Sequence, residues 1–173
     1  MNGKTNFEQL IQLPQGENPD EWIAFNIQQI YVQAQLFNNV LKNNCQCPSM
    51  HAGDAVEYFW VDQSNQIQLS AQLYITNVLE SVENALSTKF PQAPSDVFPI
   101  KFCKLASEML RRLLRIFIHA YIHHQKALIK EDVLPEVVTC LKYIITFGTK
   151  FSLLTFKDTE PIQFLVNEWN PSQ

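Results

Sequence analysis

Cys45-Gln46-Cys47 and, far along the chain, His119-Ala120-Tyr121-Ile122-His123-His124 are the residues of this sequence best suited to chemistry. Two thiols and two or three imidazoles make up the nitrogen and sulfur donor set of a closed tetrahedral zinc site. Because the two runs are so far apart, an ion joining them would tie an early loop to a late helix. That is a structural cross-link rather than a compact zinc finger. The bland alternative is a set of core histidines and cysteines with no ion. A C-x-C run brings both thiolates to one ion only where its loop bends sharply. On an ideal helix His119 and His123 share a face, whereas His119 and His124 lie roughly 140° apart. Helix geometry alone therefore selects His119 with His123. Cys103 and Cys140 fall within apolar stripes and read as core thiols.

Arg111, Arg112 and Arg115 form a second constellation. Three guanidinium groups on a largely buried helix are costly unless an anion receives them. Their planar, forked donors suit phosphate or carboxylate, which points to a phospho-residue pocket. Internal ion pairs with Glu57, Glu108 or Glu131 would satisfy them equally well, and the residues alone leave both readings open. Catalysis has weak support. The sequence lacks a Ser-His-Asp spacing, a glycine-rich phosphate loop and an H-E-x-x-H run. A zinc hydrolase would also need an open coordination position beside a carboxylate base, which four protein ligands would close.

The elements that must position these residues are helical. At 173 residues the chain is one ordinary domain, long enough for a real core, and 46% hydrophobic residues exclude disorder. Glycine numbers only 4 and β-branched alternation is confined to one stretch, which favours a mainly α fold. Residues 1–18 read as an arm and 19–173 as the domain. Asn18 or Asp20 caps a helix carrying Ile23, Ile27, Ile30, Ala34, Phe37 and Leu41 at steps of three and four, and Asn43 and Asn44 end it. Glu57–Asp62 and Ile67–Leu69 flank a polar turn, Gln63–Gln66, as one β-hairpin. A helix follows over Leu73–Leu86, then a proline-rich loop from Phe90 to Pro99. Ile100–Ile129 is apolar nearly all round and reads as one central helix. A narrow polar stripe runs along it through Lys104, Glu108, Arg111, Arg115, His119 and His123. Pro135 opens another helix through Phe151, and Pro161 a short last one.

The net charge of -4 gives no general reason to expect nucleic-acid binding. No apolar run reaches the length of a membrane span. The polar start from Met1 to Asn6 argues against a secretory signal. The expectation is a soluble intracellular protein, cytoplasmic and also nuclear, whose four cysteines are metal ligands or core thiols rather than disulfides.

Several motifs in order carry a resemblance. They are Leu13-Pro14-Gln15-Gly16-Glu17, Asp20-Glu21-Trp22-Ile23-Ala24-Phe25-Asn26, Cys47-Pro48-Ser49-Met50-His51-Ala52-Gly53, Glu57-Tyr58-Phe59-Trp60-Val61-Asp62, and the run from Leu110 to His124. From Leu10 nearly to the C-terminus the chain resembles the Mob family (Mob/phocein), co-activators and adaptors of NDR/LATS-class kinases. The resemblance implies a mainly α domain with a four-helix bundle core, a small hairpin and a structural zinc. It implies Cys45, Cys47, His119 and His124 as ligands, selecting His124 over the His123 of ideal geometry. The family's usual four-residue spacer between the two cysteines is here the single Gln46. Its phosphopeptide-binding cluster falls on Arg111, Arg112 and Arg115, which tips the reading of these arginines toward a phosphorylated upstream kinase or scaffold peptide. The face that receives the kinase's basic N-terminal regulatory segment falls on Gln33, Leu36 and Phe37, with Gln29 at an acidic family position. What is implied is a non-catalytic kinase co-activator. The alternatives are a phocein-like scaffold subunit of a phosphatase–kinase assembly and, further off, a zinc-dependent enzyme.

Overall fold

A computed structural model describes residues 6–93 and 95–169. It is mainly helical, with one two-stranded antiparallel sheet. The longest helix, α2 (Pro19–Asn44), starts where Asn18 Oδ1 accepts the backbone N–H of Asp20 at 2.8 Å and of Glu21 at 3.4 Å. Pro19 occupies the first turn, where its missing N–H costs nothing, and Asp20 and Glu21 complement the helix dipole there. Ile23, Ile27, Ile30, Ala34, Phe37 and Leu41 face the core, as the three-and-four spacing predicts.

The residues before α2 are more than a leader. A short helix, α1 (Phe7–Leu10), packs on the late helix α6, and Ile11 is fully buried, with its carbonyl accepting the Trp22 indole N–H at 3.3 Å. The absence of a sustained apolar period hid this, because one buried isoleucine is too little to make a pattern.

The strands β1 (Trp60–Asp62) and β2 (Asn65–Ile67) pair with Trp60 opposite Ile67, and Asp62 opposite Asn65. The loop is tighter than the four polar residues suggested: Gln63 and Ser64 alone turn the chain, with φ of 45° and 83°. Two consecutive left-handed residues are the two-residue hairpin turn, and without an Asn-Gly signal the sequence concealed it. Helix α3 (Ala71–Thr88) is capped by Ser70 Oγ and buries Tyr74, Ile75, Val78 and Val82.

Helix α4 (Phe102–His123) lies at the centre, packed against α2, α3 and α6 (Leu134–Lys150). Met109, Leu110, Leu113, Leu114, Ile116, Phe117 and Ile118 are all buried, which accounts for an apolar run with almost no polar face. The expected single helix to Ile129 is in fact two. His124, at φ −126° and ψ 23°, breaks it, and α5 (Gln125–Lys130) starts afresh. Cys103 is a further departure: it is exposed, because in the first turn of α4 Phe102 is the residue that enters the core. Cys140 on α6 is half-buried, and burial pushes its thiol up to about 11. Gly148 of α6 lets Leu154 close over the helix, since a Cβ there would stand 2.4 Å from the Leu154 side chain. The chain ends in α7 (Phe156–Thr159), started by a Thr155–Asp158 capping box, a 3₁₀ turn (Glu160–Ile162) holding Pro161, and α8 (Gln163–Trp169). Among the described residues no helix is long and apolar enough to cross a membrane.

Candidate metal centre

The break after His123 builds the site. Helix α2 ends at Asn44, and Cys45 turns the chain into extended conformation while its N–H still bonds the Leu41 carbonyl at 2.8 Å. Its thiol is thereby buried against the end of α4. The Cys47 carbonyl accepts the Ala71 N–H at 3.1 Å, which anchors the loop to the start of α3. At the other end, His124 has left helical geometry, so the 140° separation from His119 no longer applies. Cys45 Sγ lies 3.5 Å from His119 Nε2, Cys47 Sγ 3.6 Å from His124 Nε2, and the two Nε2 atoms are 3.2 Å apart. All four donor atoms lie within 4.8 Å of one another.

These separations fit one tetrahedral ion. Zinc bonds of about 2.05 Å to nitrogen and 2.3 Å to sulfur place two nitrogens roughly 3.3 Å apart and a nitrogen and a sulfur roughly 3.6 Å apart. The protonation pattern fits as well. The His51 carbonyl lies 2.7 Å from His119 Nδ1, so that nitrogen carries the proton and the neutral ring turns the Nε2 lone pair toward the cluster. Burial, opposed by the bond to His51, lowers His119 to about 4, and burial also lowers His124. The imidazoles are therefore neutral rather than cationic at ordinary pH, the form in which they could ligate an ion. Burial, reinforced by Cys45, pushes the Cys47 thiol up to about 11. A bound divalent ion works against both effects, displacing thiol protons and compensating the buried thiolates.

His123, which helix geometry selected, is a bystander to this set. Its Nε2 accepts the Gly53 N–H at 3.0 Å, and its ring lies 4.0 Å from that of His51. It holds the loop against α4 through the backbone. The sequence gives no role to His51, whose carbonyl fixes the orientation of the His119 ring. Its place inside Met50-His51-Ala52-Gly53, beside Gly53 at φ 72°, was the available signal.

One to two turns earlier on α4, Arg111, Arg112 and Arg115 are half-buried. Their contacts are neutral: Arg111 Nε donates to the Ser107 carbonyl at 3.3 Å, and Arg115 Nη1 to the Tyr74 hydroxyl at 2.7 Å. Arg112 lies 5.0 Å over the Trp60 ring and Arg115 4.7 Å over the Tyr58 ring. Burial pushes the Tyr58 phenol up to about 12, against the pull of Arg115. Glu57, proposed as an internal counter-ion, instead accepts a hydrogen bond from Gln68. Tyr58 and Trp60 supply a floor of rings, and among the described residues one N–H of Arg111 and one of Arg115 are taken up by hydrogen bonds.

The third set divides. Gln33 and Leu36 are exposed on α2, Leu36 at 55%. Phe37 is only 6% exposed and packs edge-on to Phe117, 5.5 Å away, so it is a core residue and no part of an exposed face. The helix turn explains this: Phe37 continues the buried line of Ile30, Ala34 and Leu41, while Leu36 points away from it.

Residues 1–162 match the model of the Mob1/phocein family. The chain is 31% identical to "MOB kinase activator-like 3" of Drosophila melanogaster over 166 residues, covering 91% of this chain and 76% of that protein. It is 31% identical to "Maintenance of ploidy protein mob1" of Schizosaccharomyces pombe, covering 95% of this chain and 82% of that protein. With "MOB kinase activator 3C" of Homo sapiens the identity is 30%, over 89% of this chain and 75% of that protein. A match that spans the arm, the cysteine loop and the histidine end of α4 is more than a shared motif, and the chain belongs to the Mob1/phocein family.

Proposed function

We propose that this chain is a non-catalytic adaptor that binds the basic N-terminal regulatory segment of an NDR/LATS-class kinase and holds the kinase active. A structural zinc sits on Cys45, Cys47, His119 and His124, and a phosphopeptide pocket on Arg111, Arg112 and Arg115. The observation that carries the reading is family membership together with relatives whose names are those of kinase activators. The charge distribution supports a basic partner. Between Asn6 and Leu41 the chain has Glu8, Glu17, Asp20 and Glu21 and no lysine or arginine. Opposite charge of this kind steers a basic segment toward α1 and α2.

Apolar anchoring is available beside these acids. Phe25, Val32 and Leu36 are exposed along α2, and Gln33 edges an apolar pocket formed with Phe25, Ile30, Phe117 and Tyr143. Four protein donors around one ion leave no position for an activated water, which favours a structural over a catalytic metal. For the arginines, neutral partners and free N–H donors over aromatic rings favour a doubly charged phosphoryl group from outside.

The test is co-purification of the wild type and of Gln33→Ala/Leu36→Ala with endogenous kinases. The wild type is expected to retrieve an NDR/LATS-class kinase, and the double variant to retain much less. A wild type that instead carries phosphatase scaffold subunits replaces the co-activator reading with the phocein-like scaffold.

A further inference from the structure

We infer that Cys45 and Cys47 are a peroxide-sensitive dithiol, oxidation of which ejects the metal and removes that cross-link between the cysteine loop and α4. The inference rests on the zinc reading above and goes beyond it. A single residue, Gln46, separates the two cysteines, and their sulfurs lie within 4.8 Å of each other and within reach of the same two imidazoles. The two thiols differ in access. Cys45 is buried at 4% exposure, while Cys47 is partly open to solvent. An oxidant therefore meets Cys47 first, with Cys45 already in place to resolve the product.

The step balances with hydrogen peroxide as the named oxidant. The Cys47 thiolate attacks one peroxide oxygen, the O–O bond breaks, and Cys47 becomes a sulfenic acid with loss of hydroxide. Cys45 sulfur then attacks Cys47 sulfur, forming the S–S bond and expelling a second hydroxide. In sum, two thiolates, one peroxide and two protons give one disulfide and two waters, and the divalent ion leaves to solvent. A disulfide offers no thiolate to the ion, and two imidazoles alone hold it weakly. The hydrogen bonds of His51 O with His119 and of Gly53 N–H with His123 still join loop and helix. They give reduction a preformed loop from which to rebuild the site.

The experiment uses the full chain carrying Cys103→Ser and Cys140→Ala, which removes the other two thiols. Metal content is measured first. Peroxide is then added while zinc release is followed with a chromogenic chelator, and the product is mapped by peptide mass spectrometry. The expected result is release of close to one ion per chain, a mass loss of about 2 Da located to a Cys45–Cys47 disulfide, and full recovery of zinc binding after dithiothreitol and added zinc. Cys45→Ser should instead give sulfinic or sulfonic acid at Cys47, which the reductant does not restore. A chain that holds zinc at the outset and keeps it under peroxide, or yields only sulfinic acid in place of the disulfide, overturns the inference and leaves the zinc reading standing. A chain with no bound metal at the outset overturns both.

Discussion

Between residues 119 and 124, at the end of α4, donor atoms from two distant stretches come together, with Cys45, His119 and His124 buried and Cys47 at the rim. Between residues 111 and 115 of the same helix, the polar groups lie over rings and keep donors to spare. The first arrangement can be completed by a single ion and then has nothing left to offer a partner. The second makes hydrogen bonds only to neutral groups among the described residues, and on the proposal above its spare donors receive an external anion. The proposal thus gives one helix a closed site that holds the fold and an open one that recognises something outside it.

The largest effect expected from breaking the closed site is the loss of its metal. Chelation, or His119→Ala, should lower stability by more than about 4 kcal/mol, since the bound ion contributes to the folded state alone. In a chain of this size that is a fall in Tm of roughly 10 °C or more, read by differential scanning calorimetry. An unchanged Tm after chelation would refute the closed-site reading. The chelated protein then exposes a pH effect of the buried ring. His119 titrates near 4 in the folded state and at its ordinary 6.5 when unfolded. Between these values the unfolded chain binds the extra proton, so stability is greatest above pH 6.5 and falls as the pH drops toward 4. The loss is on the order of 3 kcal/mol, measured by urea unfolding at a series of pH values.

At the open site the effect should appear in binding. Arg115→Ala is expected to weaken a phosphothreonine peptide by more than about tenfold, from loss of charge-assisted bonds worth roughly 1.5–3 kcal/mol. The same variant leaves the Tyr74 hydroxyl without its donor and uncovers Tyr58, so a modest fall in Tm accompanies it. Titration calorimetry with phosphorylated and plain peptides separates the two. Equal affinity for both peptides in the wild type would mean the arginines serve the fold alone.

Much of this was legible in the sequence because it depends on periodic burial. The apolar spacing of α2 and the all-round apolarity of α4 reflect what a helix must bury; α2 appears near its predicted bounds, while α4 ends at His123, short of the expected Ile129. Phe37 stands in the same apolar line as Ile30, Ala34 and Leu41, and that period accounts for its burial beside the kinase-binding face to which the resemblance assigns it. The turn at Gln63 and Ser64, the break at His124 and the burial of Ile11 were not legible. Each is a local departure from a period, set by packing between segments far apart in the chain. The ligand choice illustrates this best. An ideal helix pairs His119 with His123; the resemblance selects His124, and the break after His123 is what brings that ring round.

That choice yields the smallest prediction and a discriminating one. His123→Ala removes the acceptor of the Gly53 N–H but no member of the Cys45, Cys47, His119 and His124 set; His123 faces His51 and His119 instead. Gly53 lies in a partly exposed loop, where water can replace the lost acceptor, so the cost should be about 1 kcal/mol. Tm should fall by roughly 2–4 °C while zinc stoichiometry stays at that of the wild type. His124→Ala, one residue further, should instead abolish stoichiometric zinc. Both substitutions remove an imidazole from the same helix end, so a general loss of imidazole there would affect them alike. A reversal, with zinc lost from His123→Ala and kept in His124→Ala, would mean that α4 runs on unbroken and that the ideal-helix pair is the true ligand set.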